Sequence, residues 1–281
     1  MRLLRSGSMI DPRERRVRGP AGELVAWDHA GHGRAALLLH GIGHAGRQWD
    51  FFARTVDRRL RLVAPDARGH GESVKPTIAY APADFVADAL AILDALELAT
   101  VVLVGHSMGG AHALAFTLAH PKRVSRLVVV DTGPTLEAEG GERTRRLTST
   151  RPARFASAAE AEGYIRGTSP GYRDEVYAHR VRWLLRETPE GLVWRSDLAA
   201  LERILSGPRS DLWGRIGEIT TPTLLVRGMR SAYLGAETAR RMVEGMPDAR
   251  AIELDAGHNV HLDRPAELAD AVVAFAREPL A

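Results

Sequence analysis

Short, almost wholly apolar segments alternate with longer amphipathic segments along most of this chain. The segments AALLLHG (35–41), TVVLVG (100–105) and RLVVVD (126–131) have apolar interiors with no polar face, which is typical of strands buried on both sides. The segment APADFVADALAILDAL (81–96) instead spaces its apolar residues as a helix does. This order predicts an α/β protein with a mostly parallel sheet covered by helices on both faces.

The alternation stops between about residues 132 and 219, where no buried strand is evident. That stretch is rich in Arg, Glu and Ala, with Tyr and Trp scattered through it. We interpret residues 134–215 as a helical cap over one end of the sheet, which divides the core into residues 20–133 and 216–281. Residues 1–19 are basic and lack a long apolar segment, so we expect a flexible tail there.

Composition limits the compartment and the partners of the chain. Its 281 residues carry a formal net charge of +3 and contain no cysteine, which excludes disulfides, thiolate metal sites and a cysteine nucleophile. No apolar run reaches the roughly 18–20 residues that span a bilayer. The Arg-rich stretch 13–18 fits a solvated segment better than a nucleic-acid contact. We therefore expect a cytoplasmic protein whose partner is a small molecule, with neither nucleic acid nor membrane.

The motif Gly105-His106-Ser107-Met108-Gly109 places a serine between a predicted buried strand and a predicted helix. This G-x-S-x-G pattern requires a sharp turn, and glycines two positions before and after allow neighbouring backbone to approach. The hydroxyl would project above the sheet near the positive end of the helix. We predict that Ser107 is a nucleophile; the alternative is an ordinary serine N-cap.

A second glycine-containing loop, His40-Gly41-Ile42-Gly43, follows the first buried strand. Such a loop can aim a backbone N–H at a developing oxyanion, with the N–H after the nucleophile as the second donor. The amides of Ile42 and Met108 are therefore the predicted oxyanion hole. The alternative is an ordinary glycine-rich turn.

A histidine lies in the loop after the last predicted strand, where it can contact the predicted nucleophile. His258 lies in Asp255-Ala256-Gly257-His258-Asn259. A histidine there can reach a serine in the middle of the sheet and act as its general base. A solvent-exposed loop histidine is the alternative.

The order HG…DARGHGES…GHSMGG…AGHNVHLDRP resembles the α/β-hydrolase superfamily over nearly the whole chain from about residue 20. The resemblance implies an eight-stranded, mostly parallel sheet, a helical cap after strand six, and a Ser–acid–His triad in that chain order. The segment DARGHGES (66–73) is similar to the family's D-x-R-G-x-G-x-S loop, which is structural and lines the site entrance.

The acid of the implied triad is missing from its usual place. In most of this family it follows strand seven in a pattern like R-G-x-x-S-D-x-L, which RGMRSAYL (227–234) matches except for Ala232. Some branches place the acid at the end of strand six, where this chain has Asp131. We predict that Asp131 orients His258. Glu237 is a weaker candidate in the following helix, and Asp255 is too close in sequence to His258 to reach round it.

Residues beside the predicted catalytic loops are the expected walls of the substrate pocket, joined by aromatic residues of the cap. The aromatic residues of the cap would fit equally well in the cap's own small core, and for Trp194 packing is the preferred interpretation. The predicted substrate-binding residues are Gly41, His44, Trp49, His106, Tyr177, Trp183 and Asn259.

These features predict a serine hydrolase that cleaves an ester or lactone, or a C–C bond, of a small apolar molecule through an acyl-enzyme. No cofactor or metal is expected, because the histidine pair His40 and His44 lies on a glycine-broken loop without an acid. One alternative is a cofactor-independent, dioxygenase-like enzyme in which His258 is the general base and Ser107 only binds the substrate. Another is a non-catalytic receptor for a small molecule.

Overall fold

The computed structural model describes residues 11–208 and 211–279. Eight strands form one sheet: β1 (Arg13–Gly19), β2 (Gly22–Asp28), β3 (Ala35–Leu39), β4 (Arg61–Pro65), β5 (Val101–His106), β6 (Val124–Val130), β10 (Thr223–Gly228) and β11 (Ala249–Leu254). Their spatial order is β1-β2-β4-β3-β5-β6-β10-β11. The strands from β4 to β11 are parallel, and β1 and β2 are antiparallel to their neighbours. The predicted eight-stranded, mostly parallel sheet is therefore confirmed.

The continuous apolar character of the central strands follows from helices on both faces. On one face lie α2 (Pro82–Ala95), α3 (Met108–Ala119) and α8 (Ala236–Gly245), and on the other lie α1 (Asp50–Val56) and α10 (Pro265–Arg277). In β5, Leu103 packs into the first layer and Val102 and Val104 into the second. Each such fully buried side chain stabilises the fold by about 1.5–3 kcal/mol relative to exposure. No helix among the described residues is long and apolar enough to cross a membrane.

The first strand corrects the prediction of a flexible tail over residues 1–19. Residues 13–19 form β1, which pairs with β2 along its whole length, from Arg13 opposite Asp28 to Gly19 opposite Gly22. Val17 is its one buried residue, so the segment shows almost no apolar signal. An edge strand of this kind is easily mistaken for a solvated segment. Residues 1–10 of the predicted tail lie outside the described residues.

The chain between β6 and β10 forms an inserted segment whose helices are α4 (Ala138–Ser149), α5 (Ala158–Thr168), α6 (Asp174–Leu184) and α7 (Leu198–Ser206). Four helices agree with the expected helical insertion, but the strands in it were not predicted. It also contains a small antiparallel sheet of β7 (Arg154–Phe155), β8 (Leu185–Thr188) and β9 (Gly191–Trp194). These strands have two to four residues each, too few to show an alternating pattern. The domain boundaries at residues 134 and 215 stay predictions.

The loop over residues 66–73 fixes the chain near the carboxyl ends of the strands. The buried Asp66 carboxylate accepts hydrogen bonds from the Gly46 N–H at 2.6 Å and the Glu72 N–H at 2.9 Å. Gly71 has a φ of +50°, and a Cβ there would lie 2.2 Å from the Asp66 carboxylate. Arg68 in the same loop forms a buried bidentate ion pair with Asp88 of α2, at 2.6 and 2.7 Å. This loop is thus built as a rigid structural element.

Buried histidines should make the fold sensitive to acid. Burial lowers the pKa of His29 and His40 to about 4 and that of His112 and His261 to about 3, and it holds the pKa of His44, His70 and His106 well below 6.5. At these seven histidines the unfolded chain therefore binds more protons than the folded chain below pH 6.5, and they outnumber the buried Asp66, whose pKa is raised to about 6 and whose effect is the opposite. The contribution of these neutral histidines to the free energy of unfolding is fully present above about pH 6.5. It falls as the pH drops towards the pKa values of the folded state.

We predict that the free energy of unfolding, measured by urea denaturation, declines steeply between pH 6.5 and 4.5. The variant His112→Gln removes one such group, so its stability should decline less steeply with falling pH, whatever its stability at pH 7.5. An unfolding free energy that is unchanged between pH 7.5 and pH 5 would contradict this prediction.

Candidate active site

Ser107 occupies the turn between β5 and α3 with φ 54° and ψ −120°, a conformation that is strained for a residue with a side chain. The two flanking glycines make this turn possible. A Cβ on Gly105 would lie 2.3 Å from the Gly109 carbonyl oxygen, and a Cβ on Gly109 would lie 2.4 Å from the Leu39 carbonyl oxygen. The spacing in the motif is therefore a packing requirement, and it leaves the Ser107 side chain facing a cavity above the sheet.

His258 lies in the loop after β11 and contacts both other members of the predicted triad. Its Nε2 is 2.9 Å from Ser107 Oγ, and its Nδ1 is 2.7 Å from Asp131 Oδ2. A carboxylate can only accept, so the proton sits on Nδ1 and leaves Nε2 free to accept from the serine hydroxyl. The structure brings Ser107, His258 and Asp131 together in one hydrogen-bonded chain.

Asp131 follows β6 immediately and is completely buried. Its Oδ1 accepts a hydrogen bond from the Gly228 N–H at 2.9 Å, and its Oδ2 accepts from the Ser231 hydroxyl as well as from His258. Asp131 has a φ of +52°, which is uncommon for a non-glycine residue. The neighbouring strand β10 and its loop thus hold the carboxylate in the orientation that His258 needs.

The other acids considered from the sequence are engaged elsewhere. Glu237 lies in the first turn of α8 and pairs with Arg240, and Asp255 pairs with Arg230 and Arg264. Ala232, at the usual place of the acid, lines the cavity.

Tyr233, the neighbour of Ala232, was not predicted to belong to the site. Its ring stacks on the His258 imidazole with centroids 3.6 Å apart and an interplanar angle of 14°. A hydrogen bond of 3.1 Å joins Tyr233 Oη to Thr144 Oγ1 of α4. The signal available in the sequence was its position, directly after the missing acid.

The loop of His40 to Gly43 lies beside the serine, since a Cβ on Gly41 would be 3.3 Å from Ser107 Cβ. His70 Nε2 accepts from the Gly43 N–H at 3.0 Å, which ties this loop to the rigid loop over residues 66–73. Within the described part of the chain, neither the Ile42 N–H nor the Met108 N–H has a hydrogen-bond acceptor. Both amides are therefore free to bind an oxygen, although their role as an oxyanion hole stays a prediction.

The cavity above Ser107 has a volume of about 530 Å³ and extends under the inserted segment. Four of the predicted substrate-binding residues line it: Gly41, His44, His106 and Asn259. Asn259 donates from Nδ2 to the Tyr172 hydroxyl at 3.0 Å. Tyr164, Tyr172 and Trp194 also line the cavity. Trp194 packs on Phe155 as expected and presents the rest of its ring to the cavity.

Three predicted pocket residues do not line the cavity. Trp49 is fully buried in the core, where its ring packs against Phe52 and His261. Tyr177 belongs to the core of the inserted segment and donates its hydroxyl hydrogen to the Ser169 carbonyl at 2.9 Å. Trp183 packs against Trp27, under the guanidinium of Arg47. Position near the catalytic loops did not reveal the direction in which each side chain points.

The walls of the cavity are more polar than the sequence led us to expect. Its charged lining consists of four arginines and one acid: Arg143, Arg151, Arg180, Arg230 and Asp263. Serine, threonine and histidine side chains supply further polar surface, so the cavity does not match the apolar substrate that the sequence analysis favoured.

Among the described residues, His44, His106 and His261 form a group that could hold a metal ion, with ring nitrogens within 4.8 Å of one another. Zinc–nitrogen bonds of about 2.0–2.1 Å place tetrahedral ligands roughly 3.3–3.4 Å apart, so the rings would have to move closer. The nearby Arg180 guanidinium helps to hold the pKa of His44 and His261 low, and it would also repel a cation. His40 is not part of this group, because its Nε2 accepts from the Ala67 N–H.

Comparison with known proteins agrees with this architecture. The sequence model of the Alpha/beta hydrolase family matches residues 36–271. The chain is 27% identical over 218 residues to 2-(acetamidomethylene)succinate hydrolase of Mesorhizobium japonicum, covering 78% of each protein. It is 28% identical to 2-hydroxy-6-oxononadienedioate/2-hydroxy-6-oxononatrienedioate hydrolase of Burkholderia vietnamiensis, covering 80% of this chain and 81% of the relative.

Among solved structures, the fold is similar to that of E-2-(acetamidomethylene)succinate hydrolase. The TM-score is 0.88 at 26% identity, and the match covers 94% of this chain and 98% of the other. The family match spans most of the chain, and the similar proteins share its fold. The chain therefore belongs to the alpha/beta hydrolase family.

Proposed function

We propose that this protein is a serine hydrolase that cleaves an ester or lactone through an acyl-enzyme. The observation that carries the proposal is the continuous hydrogen-bonded chain from Ser107 Oγ through His258 to the buried carboxylate of Asp131. A serine hydroxyl is a weak nucleophile on its own, and this arrangement supplies the base that activates it. Asp131, the third member, orients the imidazole of His258 and compensates the positive charge that the ring gains with the proton.

In the first step Ser107 Oγ attacks the carbonyl carbon while its proton moves to His258 Nε2. The carbonyl π electrons move onto oxygen, and the Ile42 and Met108 amides would receive that oxyanion. One such donor typically contributes about 2.7–4 kcal/mol to the transition state. The buried Asp131 carboxylate stabilises the imidazolium that forms, since it lies 2.7 Å from Nδ1.

In the second half of the reaction the imidazolium gives its proton to the leaving alcohol, and the C–O bond breaks to leave an acyl group on Ser107. Water then attacks the acyl carbon, with His258 accepting its proton, and the free serine and a carboxylic acid are released. Tyr233 stacks on the imidazole and so restricts the ring to the plane in which it contacts both partners.

Cleavage of a C–C bond by the same residues is a second candidate within this mechanism. The supporting observation is the similarity to a hydrolase whose name describes a 2-hydroxy-6-oxo dioic acid, a compound without an ester group. A general-base enzyme of the dioxygenase type and a non-catalytic receptor remain the alternatives, and both predict that Ser107 forms no covalent intermediate.

We predict that a fluorophosphonate probe labels Ser107, because the serine is activated by His258 at 2.9 Å. Mass spectrometry of the digested protein should place the adduct on this residue. Ser107→Ala should abolish labelling and lower kcat on short esters by about 10⁴-fold or more. The matched control is Ser169→Ala, which changes another serine of the cavity without a contact to His258.

The variants Ser107→Ala and His258→Ala together separate the alternatives. If Ser107→Ala keeps most of its turnover on the preferred substrate while His258→Ala loses it, the general-base enzyme replaces the serine hydrolase. Tight binding of a small molecule without labelling and without turnover would support the receptor.

We predict that Asp131→Asn lowers kcat by roughly 10⁴-fold with little change in KM or in the free energy of unfolding, because the imidazole loses its orientation and charge partner. Steady-state kinetics on a short ester, with urea denaturation as a check on folding, measures this. Glu237→Gln is the control and should have a mild effect, since Glu237 is exposed and pairs with Arg240. An Asn variant that retains wild-type kcat would make Asp131 a purely structural residue.

A further inference from the structure

Two arginines of the inserted segment reach the cavity above Ser107. Arg151 lies just after α4, and Arg180 lies in α6. Burial lowers the pKa of Arg151 to about 10 and also lowers the pKa of Arg180, and the charge of Arg180 lowers the pKa of Arg151 further. Both side chains line the same cavity and bring positive charge into it.

Neither guanidinium has a carboxylate partner within 4.0 Å among the described residues. Arg151 donates from Nη1 to Ser196 Oγ at 3.1 Å and lies over the Trp194 ring at 4.1 Å. The buried Nη1 of Arg180 has no hydrogen-bond partner. Most of the donors on these two groups are thus left for something that enters the cavity.

Among the described residues three other arginines are buried; Arg47 and Arg68 are paired with carboxylates, whereas Arg126 has none and keeps a buried Nε without a partner. Arg47 is bound by Asp50 and Asp11, and Arg68 is bound by Asp88 in a bidentate pair. Arg126 donates to the carbonyl oxygens of residues 278 and 279. Arg151 and Arg180 are half-buried in a cavity wall without a carboxylate partner in the described part of the chain, and a partly desolvated charge of this kind is stabilised when an anionic ligand pairs with it.

The remaining charged groups of the cavity do not neutralise the pair. Asp263 is its single acid, and its Oδ2 accepts from the Gly257 N–H at 2.6 Å. Arg143 is exposed and adds positive charge, and Arg230 is paired with Asp255. The nearby rings of His44 and His261 are neutral at pH 7, because burial lowers their pKa.

The position of Arg151 relates this charge to the reaction centre. Its Nη2 would lie 2.8 Å from a Cβ built on Gly43, so the guanidinium rests against the loop whose Gly41 adjoins Ser107. Ile42, whose amide is predicted to bind the carbonyl oxygen of the acyl group, belongs to the same loop, so an anionic group held by Arg151 is assigned to the acyl part of the substrate. Guanidinium groups bind carboxylates through paired, parallel hydrogen bonds.

We propose that Arg151 and Arg180 form a carboxylate subsite, and that the substrate is an acyl compound whose acyl part carries a free carboxylate, such as a monoester or lactone derived from a dicarboxylic acid. This inference rests on the proposed serine hydrolase function, because it assigns the substrate class of that same site.

The first test compares mono-p-nitrophenyl adipate with its neutral methyl ester, which has the same reacting bond. After subtraction of the uncatalysed rates, kcat/KM should be roughly 10- to 100-fold higher for the acid, as expected for charge-assisted hydrogen bonds. In Arg180→Gln and Arg151→Gln the ratio of the two values should fall towards one. The controls Arg182→Gln and Arg145→Gln change exposed arginines of α6 and α4 outside the cavity and should keep the ratio.

The second test measures binding without catalysis. Isothermal titration calorimetry with the Ser107→Ala protein should detect adipate but not the neutral adipamide, and Arg180→Gln should weaken the binding of adipate about tenfold or more. Inorganic phosphate is the comparison ligand. If phosphate binds as tightly as adipate, or adipamide binds as tightly as adipate, the carboxylate subsite is wrong.

The two proposals fail in different ways. Hydrolysis of both esters with Ser107 labelling, but without preference for the acid and without adipate binding, overturns the subsite and leaves the hydrolase intact. Adipate binding that depends on both arginines, in a protein with no labelling and no turnover, overturns the hydrolase and supports the subsite.

Discussion

The contact between the buried Asp131 carboxylate and His258 Nδ1 is the interaction on which the site depends. It determines the tautomer of the imidazole and thereby leaves Nε2 to accept the hydrogen bond of the Ser107 hydroxyl. The carboxylate is itself held by the Gly228 N–H and the Ser231 hydroxyl, so two adjacent parallel strands, β6 and β10, contribute to one acid. Parallel strands lie about 4.8 Å apart, which is why an acid on β6 can replace one expected after β10.

Much of the fold and the central residues of the site could be predicted from the sequence. Strands buried on both faces are continuously apolar, and the turn at Ser107 excludes side chains at Gly105 and Gly109, so both leave clear patterns. The edge strand β1 was missed, because Val17 is its one buried residue. The short strands of the inserted segment were missed because they pack on a small local core and are too short to show alternating apolar and polar residues.

The substrate pocket was the part that the sequence described least well. Trp49 and Trp183 are aromatic and stand near functional segments, yet both turn into packed interiors. Arg151 and Arg180 do reach the cavity, but the sequence did not single them out, because nearly all basic residues of the chain are arginine. What distinguishes them is that they line the cavity without an acidic partner among the described residues, and spacing along the chain carries no information about that.

Tyr233 has a further consequence for the way the two parts of the molecule work together. Its ring lies flat on the imidazole of His258, while its hydroxyl is bonded to Thr144 and its ring edge lies against Gly140, both in α4. A displacement of α4 would therefore move the ring that packs on the imidazole of His258. The inserted segment is in this way connected to His258, so a substitution made in α4 would also alter the alignment of the imidazole with Ser107 and Asp131.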